Sequence, residues 1–144
     1  MINSILVPID GSEHSAKALT LAVDIAEKYD ATLSVLFVSS HKIMEDLRNY
    51  TAHEFNSKDD NDVSEEIGKR TINRMINKLK TNIVIKPVVL FGDPAAQIVE
   101  YSKDNNIDMV VMGNRGLSDI KGMMMGSVSR RVRRLVNCAF VSIK

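Results

Sequence analysis

Apolar residues follow two alternating rhythms along this chain. Residues 4–9, Ser-Ile-Leu-Val-Pro-Ile, are a β-branched apolar run that stops at Asp10-Gly11-Ser12. Continuous apolarity over so few residues predicts a strand buried on both faces of a parallel sheet. The period then changes. Leu19, Ala22, Val23 and Ala26 recur at i, i+3, i+4 and i+7, a helical stripe with Ser12 as its N-cap. Residues 32–38, Thr-Leu-Ser-Val-Leu-Phe-Val, predict a second strand.

Residues 39–62 show no clear period, apart from a weak helical turn at Ile43–Leu47. The stretch is long for a connection and is expected to be mobile or functional. Asp62 and Glu65 resemble a capping box. A helix with Ile72, Met75, Ile76 and Leu79 on one face follows. Residues 83–90 predict a third strand, placed at a sheet edge by Pro87, which has no N–H for a ladder. Asp93-Pro94 reads as an N-cap with proline in the first turn, opening a helix to about Ser102. Ile107–Met112 predicts the fourth strand. Val128, Val132, Leu135 and Val136 mark a last helix, and Cys138–Ile143 a last strand. The order β-α-β-α-β-α-β-α-β predicts an α/β fold, a parallel sheet with helices on both faces.

Composition narrows the picture. A chain of 144 residues with 44% hydrophobic content suits one domain spanning 1–144, which at this size buries about 68–70% of its unfolded surface. One cysteine excludes an intrachain disulfide framework and fits a reducing compartment. No apolar run approaches the roughly 18 residues of a membrane span. No secretory leader is visible in Met1–Asp10, so a cytoplasmic protein without membrane contact is expected. The net charge is +1. That total conceals an asymmetry: residues 113–144 hold seven basic side chains and one acidic, residues 1–112 twelve and seventeen.

Open parallel sheets bind ligands beyond the carboxyl ends of their strands, where the strand order reverses. Two segments suit such a site: Asp10-Gly11-Ser12 after the first strand, and the glycine-rich stretch from Gly113 to Ser129 after the fourth. If those strands are neighbours, both segments line one crevice. Gly113 and Gly116 let the backbone approach a ligand and adopt φ > 0, turning successive N–H groups inward. Gly126-Ser127 leads into a helix N-terminus suited to an anion. Ser127 and Ser129 offer hydroxyl donors, and Arg115 a charge-assisted contact.

The spacing Gly-x2-Gly-x9-Gly-Ser at Gly113, Gly116, Gly126 and Ser127 resembles the ATP-binding signature of the universal stress protein family. Further segments match in family order. Ile5-Leu6-Val7-Pro8-Ile9-Asp10-Gly11-Ser12 is similar to the family's opening strand. Gly92-Asp93-Pro94-Ala95 with Ile98 resembles its third strand–helix junction. Asp108-Met109-Val110-Val111-Met112-Gly113 resembles the strand before the signature. The resemblance implies a Rossmann-like, five-stranded sheet in the order 3-2-1-4-5. It implies that Asp10 accepts hydrogen bonds from the ribose or adenine side, that Pro8 shapes that pocket, and that Val38 meets adenine through its backbone. It places Met112, Gly113, Arg115 and Gly116 along the ribose and phosphate path, and Gly126, Ser127, Val128 and Ser129 on the phosphates. It also implies a homodimer through the open apolar edge Ala139–Ile143, the alternative being an edge covered by residues 39–62.

Plainer roles compete for several residues. Asp10 also reads as a turn or capping residue. Met123-Met124-Met125 reads as core cover or a subunit contact. Arg130, Arg131, Arg133 and Arg134 interleave with no aromatic residues, so a solvated face or subunit contact is expected rather than nucleic acid. His14, His41 and His53 lack metal-ligand spacing, which leaves a Mg2+ ion only as a companion of ATP, held mainly by phosphates. Cys138 reads as core.

The expected function is an ATP-binding or adenine-nucleotide-binding stress-response switch. Occupancy would alter the glycine loop or residues 39–62, and an unidentified protein partner would read the change. The sequence shows no catalytic base beside the phosphates, with Asp119 of undetermined placement, so at most slow hydrolysis is expected. The alternative is an ATP-consuming hydrolase or nucleotidyl transferase, for which no Walker-type loop and no nucleophile–base pair is visible. A phosphoryl-accepting receiver fits poorly, because Asp10 is followed by Gly11 rather than a second acid.

Overall fold

The computed structural model describes residues 1–40, 60–116 and 125–144. Strands β1 (Ser4–Ile9), β2 (Thr32–Ser39), β3 (Ile85–Phe91), β4 (Met109–Gly113) and β5 (Ala139–Ile143) alternate with helices. The helices are α1 (Glu13–Tyr29), α2 (Asp60–Ile76), α3 (Pro94–Asp104) and α4 (Ser127–Leu135). The strands form one parallel sheet in the order β3-β2-β1-β4-β5.

Burial follows that order. In the central strand β1, Ile5, Leu6 and Val7 are fully buried, because helices cover both faces. The edge strands β3 and β5 are only partly covered. Odd positions of β1 and β2 (Ile5, Val7, Ile9, Leu33, Val35, Phe37) pack with Leu19, Ala22 and Val23 of α1 and Ile72 and Met75 of α2. Even positions (Leu6, Leu36, Val38) pack with Val110 and Met112 of β4, Ile98 of α3 and Val132 of α4. The period-2 alternation of the strands thus divides the core into two layers.

Helix boundaries show where local chemistry sufficed. Ser12 caps α1, accepting the Ser15 N–H at 3.2 Å. Asp93 caps α3, accepting the Ala96 N–H at 2.9 Å, with Pro94 in the first turn. The capping box expected at Asp62 and Glu65 is corrected. The helix α2 begins at Asp60, so Asp62 lies inside the first turn rather than at the cap. Leu79, expected on the face of α2, lies beyond its end. It still packs on the core, because Lys78 and Leu79 N–H groups donate to Met75 and Ile76 carbonyls and tighten the chain into a turn. Leu135, expected in the apolar stripe of α4, is 47% exposed. The chain turns extended at Val136, and it is Val136 that reaches the core.

Pro87 lies on β3 at the sheet edge, as its missing N–H requires. Pro8, by contrast, is in the central strand. It is tolerated there because β1 and β4 pair only at Ile5 and Leu6, while β1 stays paired with β2 through Ile9↔Phe37. Past Leu6 the hydrogen-bonded ladder between β1 and β4 therefore ends. The amino ends are tied instead: the Asn3 and Ser4 N–H groups donate to Asp108 Oδ2 at 2.8 and 3.1 Å. The Ala139 N–H donates to the Asp108 carbonyl.

Candidate functional site

The order reversal lies between β1 and β4, whose ladder ends at Leu6. From β1, the Asp10 carboxylate turns the chain: Oδ1 accepts the Ser12 N–H at 2.9 Å. Ser15 Oγ donates to the Ser12 carbonyl at 2.9 Å, closing a compact knot that starts α1 beside the crevice. Asp10 therefore has the turn role that competed with the ligand role in sequence. Gly11 takes φ +85°, a left-handed conformation that favours glycine. Arg74 of α2 reaches this turn, its Nη2 only 3.3 Å from where a Cβ on Gly11 would stand.

From β4, Gly113 ends the strand and packs directly on α1. An added Cβ would lie 2.8 Å from both C and Cβ of His14. This corrects the expectation for Gly113, which does not take φ > 0. Its missing side chain admits the first turn of α1. The sequence hid this because the contact spans about a hundred residues.

Asn114 then fastens the next segment. Its N–H donates to the Ile143 carbonyl at 2.6 Å, and its carbonyl accepts the Gly126 N–H at 2.7 Å. Asn114 and Gly126 are thus held together, and α4 starts beside the end of β4. Gly126 is the N-cap of α4, with φ −68° and no side-chain cap. The first internal bond is from the Arg130 N–H to the Gly126 carbonyl. By helix geometry the N–H groups of Ser127, Val128 and Ser129 lack an intrahelical acceptor, and the positive end of the helix dipole lies there.

The Ser129 hydroxyl is a second correction. It is buried and its single proton is shared internally between the carbonyls of Asn114 at 3.0 Å and Gly126 at 3.2 Å. Only its backbone N–H is left to face an anion. Burial forced this outcome, since a buried hydroxyl must find an acceptor.

The remaining expected positions gather on the same carboxyl edge. Val38 is one residue past the level of Ile9, hence level with Asp10, and is buried. Met112 is buried under Gly113, and Arg115 and Gly116 follow it. Sequence reasoning missed Asn114, Arg74 and His14; only their tertiary placement reveals them. Leu117, Ser118, Asp119, Lys121, Met123, Met124, His41, His53 and the turn at Ile43–Leu47 lie outside the described residues.

The universal stress protein family model matches residues 1–144. The chain belongs to the universal stress protein family. It is 33% identical to universal stress protein YxiE of Bacillus subtilis, with all of both chains aligned. Its fold matches solved structures below 25% identity. Hypothetical protein MJ0577 gives a TM-score of 0.78 at 22% identity, over 100% of this chain and 96% of that one. A universal stress protein in complex with cAMP gives 0.65 at 24%, over 99% and 96%. The universal stress protein of Archaeoglobus fulgidus in complex with dAMP gives 0.63 at 18%, over 100% and 98%.

Other features of this universal stress protein sort by position. All four arginines of α4 are exposed. Arg131 Nη1 donates to Asp93 Oδ1 at 2.9 Å, joining α4 to the cap of α3. The Arg131 hydrogen bond, and after it the Ala96 N–H, hold the Asp93 carboxyl below its usual value. A depressed folded value means stability present above the ordinary pKa and lost as pH falls through the folded one. Asp93→Ala should therefore cost about 1 kcal/mol near neutrality, mostly from the lost cap, since an ion pair half exposed contributes little. Thermal melts from about pH 7 down to pH 2 check this: the wild-type advantage should shrink below about pH 4. A constant difference would refute it.

Burial pushes the half-buried Cys138 thiol up, which makes it a poor nucleophile. A groove of about 990 Å³ runs past Ala31, Thr32, Leu79 and Val84, at the amino ends of β2 and β3 and away from the order reversal. Its Glu27 already accepts from the Thr81 hydroxyl at 2.6 Å. Among the described residues, no three His, Cys, Asp or Glu side chains converge to hold a metal, and no helix is long and apolar enough to cross a membrane.

Proposed function

We propose that this universal stress protein is an adenine-nucleotide-binding switch in the cytoplasm, with ATP as a ligand and at most slow hydrolysis. One observation carries the reading: the β1–β4 ladder ends at Leu6, at the strand-order reversal, and the N-terminus of α4 is fastened beside the end of β4 by the Gly126–Asn114 bond. The carboxyl edge of a sheet at its strand-order reversal suits a nucleotide, and a helix N-terminus suits its phosphates. The cAMP and dAMP complexes of fold relatives support the same ligand class.

In this reading Pro8, Asp10 and Val38 line the ribose and adenine side. Met112, Gly113, Arg115 and Gly116 line the path to the phosphates. The N–H groups of Ser127, Val128 and Ser129 and the start of α4 at Gly126 receive them. A Mg2+ ion would arrive with ATP and be held by its phosphates. Occupancy is read by a protein partner.

The chain would act as a homodimer. β5 is an edge strand with β4 on one side, and no strand covers its other side among the described residues. Such an edge calls for pairing. Native mass spectrometry of the purified protein tests ligand and assembly together. The expected species has twice the 16.0 kDa of the chain plus one adenine nucleotide per subunit. A protein that carries no nucleotide, and takes none up from millimolar AMP, ADP or ATP, refutes the reading.

A further inference from the structure

Among the described residues, two buried side-chain nitrogens have no hydrogen-bond partner: His14 Nδ1 and Arg115 Nε. A buried donor or acceptor left unpaired is costly and rare, so each needs a physical account. These two are not scattered. Both belong to residues that border Gly113. The backbone and Cβ of His14 occupy the space a Gly113 side chain would fill, and Arg115 is two residues beyond.

The position also selects a chemistry. His14 is the second residue of the 17-residue helix α1, capped at Ser12. The start of α4 is fastened at Asn114, one residue from Gly113. His14 thus lies in the first turn of α1, and Arg115 follows Asn114, to which the start of α4 is fastened. Arg115 adds a fixed positive charge, and its Nε can only donate. Donors, a cation and two helix starts favour an oxygen-rich anion over a nucleobase edge.

We propose that His14 is a ligand-binding residue, and that its Nδ1 and Arg115 Nε are completed by phosphoryl oxygens of a bound nucleotide. This rests on the nucleotide reading above and adds to it a side chain from α1. His14 Nδ1 donates to one phosphoryl oxygen and Arg115 Nε to another. The phosphate group is then held from both sides of the crevice, by α1 and by the start of the glycine-rich segment. Protein without ligand keeps both nitrogens unpaired, so binding relieves a cost already present in the fold.

The test compares AMP with adenosine, which lacks the phosphate. Calorimetric titrations use wild type, His14→Ala and His14→Asn, since the asparagine amide can reproduce the Nδ1 donor. AMP affinity should fall about tenfold in His14→Ala and stay within about threefold in His14→Asn. Adenosine should bind all three alike. In wild-type protein, the 15N resonance of His14 Nδ1, assigned by its loss in His14→Asn, should move with AMP and not with adenosine. An unchanged AMP affinity in His14→Ala, an unmoved resonance, or an equal loss for adenosine overturns the role of His14 while nucleotide binding stands. Wild type that binds neither AMP nor adenosine overturns the nucleotide reading and this inference with it.

Discussion

Gly113→Val is expected to unfold the protein at a distinctly lower temperature and to abolish tight nucleotide binding. The new Cβ would stand 2.8 Å from His14 C and Cβ and 3.0 Å from its carbonyl oxygen. Two of those atoms are backbone, so no side-chain rotation can make room. Nor can the turn slide away, because the bonds among Asp10, Ser12 and Ser15 hold α1 in place. Overpacking of this kind costs about 1–3 kcal/mol, and a branched residue belongs near the upper figure. For a chain of this size each kcal/mol lowers Tm by about 2–4 °C, so a fall of roughly 6–12 °C is expected. Gly113→Ala should fall by less. Thermal melts with titration of ADP check both effects; a valine variant melting with wild type would show that α1 yields easily. The first glycine of the signature is thus a packing glycine, and its loss should harm the protein even without ligand.

Ser127→Glu should separate stability from binding. Ser127 is the exposed first residue of α4. A carboxylate in a first helical turn is stabilising by about 0.3–1 kcal/mol, through the positive end of the helix dipole. Unliganded protein should therefore melt no lower than wild type. The same carboxylate would meet the phosphates at the place proposed for them. Two unit charges about 5 Å apart at an effective dielectric near 20 repel by about 3 kcal/mol. ADP affinity should drop by about tenfold to a hundredfold, while adenosine is spared. Melting curves and calorimetry on one preparation read both. Unchanged ADP affinity would move the phosphates away from α4.

What was legible in the sequence was local. The apolar run of β1 and the stripe of α1 depend on spacing alone, and so do the caps at Ser12 and Asp93, because neighbouring residues supply every partner. Pro87 marked an edge because a missing N–H is a local fact. The resemblance carried by the glycine spacing named the family and the strand order, both of which hold. The start of α2 was misplaced by three residues, since Asp59, Asp60, Asn61 and Asp62 can each cap.

The site itself was settled at long range. Periodicity cannot tell that the β1–β4 ladder ends after Leu6, which lets Pro8 sit in a central strand. Spacing cannot show that Gly113 makes room for His14. Nor can it show that the Ser129 hydroxyl is taken by Asn114, or that the exposed Arg131 pairs with Asp93. Each of these is a contact between residues distant in sequence. Sequence by itself determined the elements, their order and the chemistry gathered at the carboxyl edge. Only the tertiary structure decided which of those groups are used up in holding the fold and which, like His14 Nδ1 and Arg115 Nε, are left unpaired. The physical reason is that hydrogen-bond satisfaction and close packing are properties of neighbours in space, and a linear pattern records only neighbours along the chain.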